Sequence, residues 1–226
     1  MNTAPVSSTQ RAAPASAGHA HAADHAHAAD LETSLDFVNT LELDDGVPRD
    51  HLPTATEALA WLEGHGLAHV HDLHTQAAAD PEAWLARVHG VRAALREAWD
   101  AAVEGRAADA AAVTRLNDVL ASGPRAELAP GPLGVIVGHR HRREDPVGEA
   151  LARLVKPFVR AISAGETSRF RVCANDECRW VFEDTSRGGR RRWCDMTTCG
   201  NRAKVRRFRS KRRVPGGPAG AGAAGE

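Results

Sequence analysis

Cys173-Ala174-Asn175-Asp176-Glu177-Cys178, followed after fifteen intervening residues by Cys194-Asp195-Met196-Thr197-Thr198-Cys199, holds every cysteine of this 226-residue chain. Two close pairs at that separation suit a single four-thiolate zinc ion, each pair sitting on a turn that aims both sulfurs at one point. Such an ion is expected to be structural, because four protein sulfurs leave no position open for water or substrate. Two disulfides would suit a secreted chain, an iron–sulfur cluster uses other spacings, and a redox pair wants two residues between its cysteines rather than four. The surroundings also call for a metal. Few large apolar residues lie between 169 and 213, and tetrahedral zinc can contribute about 10–16 kcal/mol to folding so small a segment.

The order of elements around the ligands follows from the same stretch. Phe170 to Val172 leads into the first turn as a short strand, Trp180 to Phe182 leaves it as a second, and Arg191 to Trp193 enters the second turn as a third. A helix then runs from about Arg202 to Arg213, which makes a treble-clef-like finger. Trp180, Phe182 and Trp193 are its expected small core.

The net charge of zero hides a strong asymmetry. Residues 1–168 hold 14 Lys+Arg against 23 Asp+Glu, whereas residues 169–213 hold 15 against 5. So basic a segment points to a polyanion partner, DNA first. On the last helix Arg202, Arg206, Arg209 and Arg213 line one face, and Lys204, Arg207 and Lys211 line roughly the opposite one. With Arg190, Arg191 and Arg192 (and Arg187 beside them) as a clamp between the knuckles, these are the expected nucleic-acid contacts, since a helix fits the major groove and flanking arginines neutralise phosphates. An RNA- or protein-interaction module without sequence-specific DNA binding is the alternative. The opposite charges of the two halves could attract, with Asp44, Asp45 and Asp50 as the best candidates for an acidic surface facing the finger, although charges spread over separate solvated faces are slightly the more expected arrangement.

Three motifs make the finger specific. Cys199-Gly200-Asn201-Arg202, Phe182-Glu183-Asp184-Thr185-Ser186-Arg187 and Arg192-Trp193-Cys194-Asp195-Met196 resemble the CGNR zinc-finger family, with Glu183 standing where an apolar residue is common and Asp195 where a serine is common. Upstream, Leu35-Asp36-Phe37-Val38-Asn39-Thr40-Leu41 and Ala60-Trp61-Leu62 are similar to the ABATE domain that usually precedes this finger. The resemblance implies a stress-related transcription regulator whose finger binds DNA and whose N-terminal domain senses a small-molecule ligand.

The rest of the chain reads as a helix-rich α+β domain over 31–165, ahead of the finger at 169–213, with the boundary near Gly165. Thr54 with Glu57 opens one helix as a capping box. Asp80-Pro81 opens another, with Trp84, Val88, Val91, Leu95 and Trp99 on one face. A third begins near Asp109 and points Val113, Leu116 and Leu120 inward. A fourth begins at Asp145-Pro146, carries Leu151, Leu154, Val155, Phe158 and Ile162, and is interrupted by Pro157. Glu127-Leu128 and Leu133 to Val137 suit a hairpin. Asp36 and Asn39, three apart, could share a helical face and bind a polar ligand, although helix capping is an equally ordinary use of them. His65, His69, His71 and His74 include pairs at helical spacing, but Gly64 and Gly66 weaken any helix there, so a metal site is not expected at them.

No catalytic motif is present, so an enzyme is not expected. No run of 18 apolar residues exists, so no membrane partner is expected and the location is expected to be cytoplasmic. Self-association stays open. Residues 1–30, with the duplicated His19-Ala20-His21-Ala22-Ala23-Asp24 pattern repeated from His25 to Asp30, and residues 214–226 read as disordered tails.

Overall fold

A computed structural model of the chain describes residues 31–67, 70–131, 134–140 and 144–212. Both expected tails and Arg213 lie outside the described residues.

The first helix, α1 (31–39), buries Leu31, Leu35, Phe37 and Val38. It runs into a hairpin that the sequence reading overlooked, β1 (Leu41–Asp44) paired with β2 (Val47–Asp50), with Asp44 opposite Val47. Asp45-Gly46 closes it with φ values of 50° and 84°. Both central residues are left-handed, which matches the right-handed twist of the strands and favours Asp-Gly. Buried Arg92 fixes the base of the hairpin, donating to both oxygens of Asp50 at 2.7 and 2.6 Å and to Thr40 Oγ1 at 3.0 Å.

The helical body follows. Helix α2 (Ala55–Gly64) is capped by Thr54, whose hydroxyl accepts from the Glu57 amide. Helix α3 is Val70–Ala79 and helix α4 is Pro81–Glu104. Asp80 caps α4, which buries the five residues expected of it from Trp84 to Trp99. Helix α5 (Ala110–Ser122) buries Ala112, Leu116 and Val119. Val113 is 42% exposed, because the inward stripe runs 112, 116, 119 and Val113 lies off it. The expected hairpin forms as β3 (Arg125–Gly131) and β4 (Gly134–Arg140).

Helix α6 (Pro146–Ser163) runs through Pro157, which sits buried inside it. Its inward face is Leu151, Leu154, Phe158 and Ala161; Ile162 lies about 100° round from Ala161 and is 46% exposed. A single 3-10 turn, Glu166–Arg169, then leads to β5 (Phe170–Val172), which pairs antiparallel with β6 (Val181–Glu183). A π turn, Met196–Gly200, opens helix α7 (Asn201–Arg212). Arg191 to Trp193 do not form a third strand. The Arg191 amide is drawn to the Asp184 carboxylate at 2.7 Å, and one ladder-like bond remains there, from Ala174 N to Arg192 O at 2.7 Å.

The helix-rich α+β class therefore holds, with three separate two-stranded ribbons among the described residues. The chain boundary near Gly165 is not a boundary in the packing. Phe170 and Val181, both 1% exposed, belong to the main apolar core. Phe170 stacks on Trp99 with ring centroids 3.8 Å apart and lies 5.8 Å from Phe158.

Candidate metal centre and nucleic-acid interface

Cys173 leaves β5, and its amide donates to Trp180 O at 2.7 Å across the first knuckle. Asn175 builds the turn. Its carbonyl accepts from the amides of Cys178 at 2.8 Å and Arg179 at 3.1 Å, and Arg179 takes a left-handed backbone, φ 58°. In the second knuckle Asp195 caps the π turn, accepting from the Thr198 amide at 2.7 Å and from the Thr197 hydroxyl at 2.6 Å. Those hydrogen bonds, the one from Thr197 first, hold its carboxyl down at about 2. Asp195 thus does what a serine would do at a helix start, and its departure from the commoner residue leaves the knuckle intact.

All four sulfurs lie within 4.8 Å of one another, and among the described residues no other group of histidine, cysteine or carboxylate side chains converges as a metal site would require. Cys178 Sγ is 3.7 Å from Cys194 Sγ, which is 3.8 Å from Cys199 Sγ. A tetrahedron with zinc–sulfur bonds of about 2.3 Å has edges of about 3.8 Å, so the cluster fits one structural zinc. A disulfide would bring two sulfurs to about 2.05 Å, and all four cysteines are free. The sulfurs already compete for protons. Hydrogen bonds from Cys178 and then Cys194 hold the Cys173 thiol far below its ordinary range, and the same contact with Cys173 pushes Cys178 up to about 12 and Cys194 upward. The negative charge belongs to the cluster rather than to one sulfur.

Three residues after the last ligand, Asn201, Arg202 and Arg206, have structural tasks. Asn201 Nδ2 donates back to Thr197 O at 2.8 Å, and Arg202 donates to Asp45 at the tip of the β1–β2 hairpin at 2.5 Å. Arg206 donates to Glu177 Oε2 at 2.6 Å and to Oδ1 of buried Asn175, whose Nδ2 in turn faces Cys199 Sγ at 3.7 Å. Arg191 donates from its guanidinium to Cys194 O and lies 5.0 Å above the Phe182 ring. Three of the predicted phosphate contacts, Arg191, Arg202 and Arg206, are therefore engaged within the protein.

The remaining described cations are placed differently. Arg187, Arg190, Arg192, Lys204, Arg207 and Arg209 are exposed and make no ion pair among the described residues; Arg192 lies over Trp193. Nothing is described of the Lys211 side chain. Arg169 and Arg171 pin the loop that carries Arg187 and Arg190, donating to the carbonyls of Asp184 at 2.8 Å, Ser186 at 3.1 Å and Gly189 at 2.9 Å. Neither was singled out from sequence, where they looked like two more charges in a basic run.

The seam with the helical domain resolves the Asp36–Asn39 pair. Asn39 is buried, and its amide pairs with the Val181 backbone as a strand would, donating to O and accepting from N, each at 3.0 Å. Asp36 instead looks into a crevice between α1 and β6, and burial, then the charge of Glu32, pushes its carboxyl up. Further along the seam Trp180 Nε1 donates to Glu42 at 2.8 Å, Trp99 Nε1 to Arg171 O at 3.1 Å and Gly46 N to Glu177 O at 3.2 Å. His65 and His74 bond to Trp61 O and Glu63 and do not meet; the side chains of His69 and His71 lie outside the described residues.

These features define a class, a helical domain joined to a four-cysteine zinc finger that ends in a basic helix. The chain belongs to the ABATE family, described as "Putative stress-induced transcription regulator", which matches residues 31–165, and the CGNR zinc finger matches residues 169–212. Neither is an enzyme family. No curated protein is similar enough to match. Among the described residues no helix is long and apolar enough to cross a membrane.

Proposed function

We propose that the chain is a DNA-binding transcription regulator, in which the finger holds DNA through its unpaired cations and the helical domain senses a small ligand. The observation that carries this is the division of the basic residues. Lys204, Arg207 and Arg209 on α7 and Arg187, Arg190 and Arg192 in the inter-knuckle loop stay exposed, while Arg191, Arg202 and Arg206 are engaged within the protein. Phosphates are the natural counter-charge for such a surface.

If about six cations neutralise phosphates, affinity should fall about 10³-fold between roughly 50 and 200 mM salt. Replacing Lys204, Arg207 and Arg209 together with Ala should lower the salt slope by about three and leave the zinc content unchanged. An unchanged slope would move the DNA surface off α7. Tighter binding to RNA than to duplex DNA would favour the RNA-interaction alternative.

A further inference from the structure

The crevice that Asp36 faces has a volume of about 580 Å³ and opens between α1 and β6. That volume is ordinary for a small-molecule site, and a seam between two units is an ordinary place for one. One wall is a single face of α1, with Glu32, Leu35 and Asp36 at helical spacing; the other brings Val181 and Phe182 from β6. Apolar surface thus lies directly beside carboxylate.

The charges around the crevice are lopsided. Asp36 and Glu32 make no hydrogen bond or ion pair among the described residues. Among the described residues that line the crevice the one cation, Arg191, is already committed to Cys194 O and to the face of Phe182, and His65 lies close enough for its charge to act on Asp36. Cys194 also lines the crevice. An anion would meet repulsion there. A small hydrated metal ion would gain nothing from Leu35, Val181 and Phe182.

We infer that this crevice binds a small organic cation, an ammonium or guanidinium group on an apolar body, with the Asp36 carboxylate as its counter-ion. The apolar body lies against Leu35, Trp180 and Phe182, and the charged head lies between Asp36 and Glu32. Asp36 and Glu32 are themselves exposed, so the ion pair adds little alone and the affinity comes from the pair together with the apolar body seated beside it. The occupant touches α1 on one side and the strand leading out of the first knuckle on the other. This inference rests on the sensing half of the proposed function and not on DNA binding.

The test uses the full zinc-loaded chain and calorimetric titration with tryptamine and benzylamine, each an ammonium on an aromatic body. Indole-3-propionate, a carboxylate on a similar body, is the charge-reversed control. Saturable binding of an amine, weakened about tenfold or more by Asp36→Asn and absent for the acid, is the expected result. Asp36→Asn should melt as the parent does, because Asp36 makes no hydrogen bond among the described residues. No saturable binding of either amine up to about 10 mM, equal binding of the acid, or undiminished binding by Asp36→Asn would overturn the inference. DNA affinity with and without bound amine reads the regulatory link separately: an unchanged value would leave the cation site standing and remove its role in sensing.

Discussion

The helical body and the finger of this chain are held by different forces, and the contrast shows where the two meet. Helices α1 to α6 bury a continuous apolar core that includes Phe37, Val88, Trp99, Leu151 and Phe158. The knuckles bury little beyond Cys173, Phe182 and Cys199. A cluster so small cannot order a chain by burial alone, so the knuckles depend on the metal. The β5–β6 ribbon of the same finger lies on the other side of the division: Phe170 and Val181 are packed as core residues of the helical body. The finger is thus held at one end by sulfur and at the other by its neighbour's hydrophobic core.

The most severe way to break this contrast is to remove the metal. Chelation or Cys194→Ala should abolish amide protection in the knuckles and α7, with a loss of about 10–16 kcal/mol of metal binding, while α4 and α6 stay protected. Hydrogen exchange reads both regions at once. Loss of protection across the helical body would make the molecule a single cooperative unit.

Phe170→Ala comes next. It lies in the finger by sequence and in the helical core by packing, so it should cost about 3–5 kcal/mol of global stability, measured by urea denaturation. A mutant that loosens the finger alone would separate the two regions again. Asn39→Ala acts on the same seam more gently. It leaves a buried N–H and C=O of Val181 without partners, at about 1–3 kcal/mol.

A pH experiment sharpens the contrast from the helical side. Burial raises the Asp145 carboxyl, but hydrogen bonds from Arg87, Ser122 and the Gly148 amide outweigh it and hold the group at about 2, below its ordinary 3.8. The folded pKa is depressed, so the stabilisation is complete above the unfolded value and disappears as pH falls through the folded one. Asp145→Asn keeps a capping side chain for α6 and should cost about 1–2 kcal/mol at neutral pH, after allowance for solvent at half-exposed Arg87, with the cost shrinking as pH falls toward about 2 and vanishing well below it. Equal denaturation midpoints of mutant and parent at neutral pH would refute this.

The smallest expected effect is at the hairpin tip. The Asp45–Arg202 pair is exposed on both sides, so Asp45→Ala should change stability by under about 1 kcal/mol. It releases Arg202, however, and should tighten non-specific DNA binding at low salt with a difference that shrinks as salt rises. Equal affinities at low salt would show that the contact restrains nothing.

Much of the molecule was legible before the structure. Four thiolates at their spacing need only local turns to converge, and the helices of the body are written in periodic apolar faces with Thr54, Asp80 and Asp145 as caps. The β1–β2 hairpin could have been found as well, because Asp45-Gly46 is a strong turn signal; short, mostly exposed strands gave it no apolar alternation to confirm it. Of the three acidic candidates to face the finger, Asp45 does, whereas Asp50 is claimed by buried Arg92 and Asp44 by Arg49.

The chain's own order of residues was enough to determine the zinc cluster, the helix-rich class and the concentration of positive charge, since each depends on neighbours a few positions apart or on composition. Tertiary structure alone decided which arginines are free. Arg202 and Arg209 look alike on a helical wheel, and only the arrival of a hairpin from more than 150 residues upstream engages one and leaves the other exposed. The same holds for Asn39 and Asp36, three residues apart on one helix. Whether a polar side chain mends a strand edge or faces an open crevice depends on what is packed against it, and that is a property of distant chain segments meeting in space.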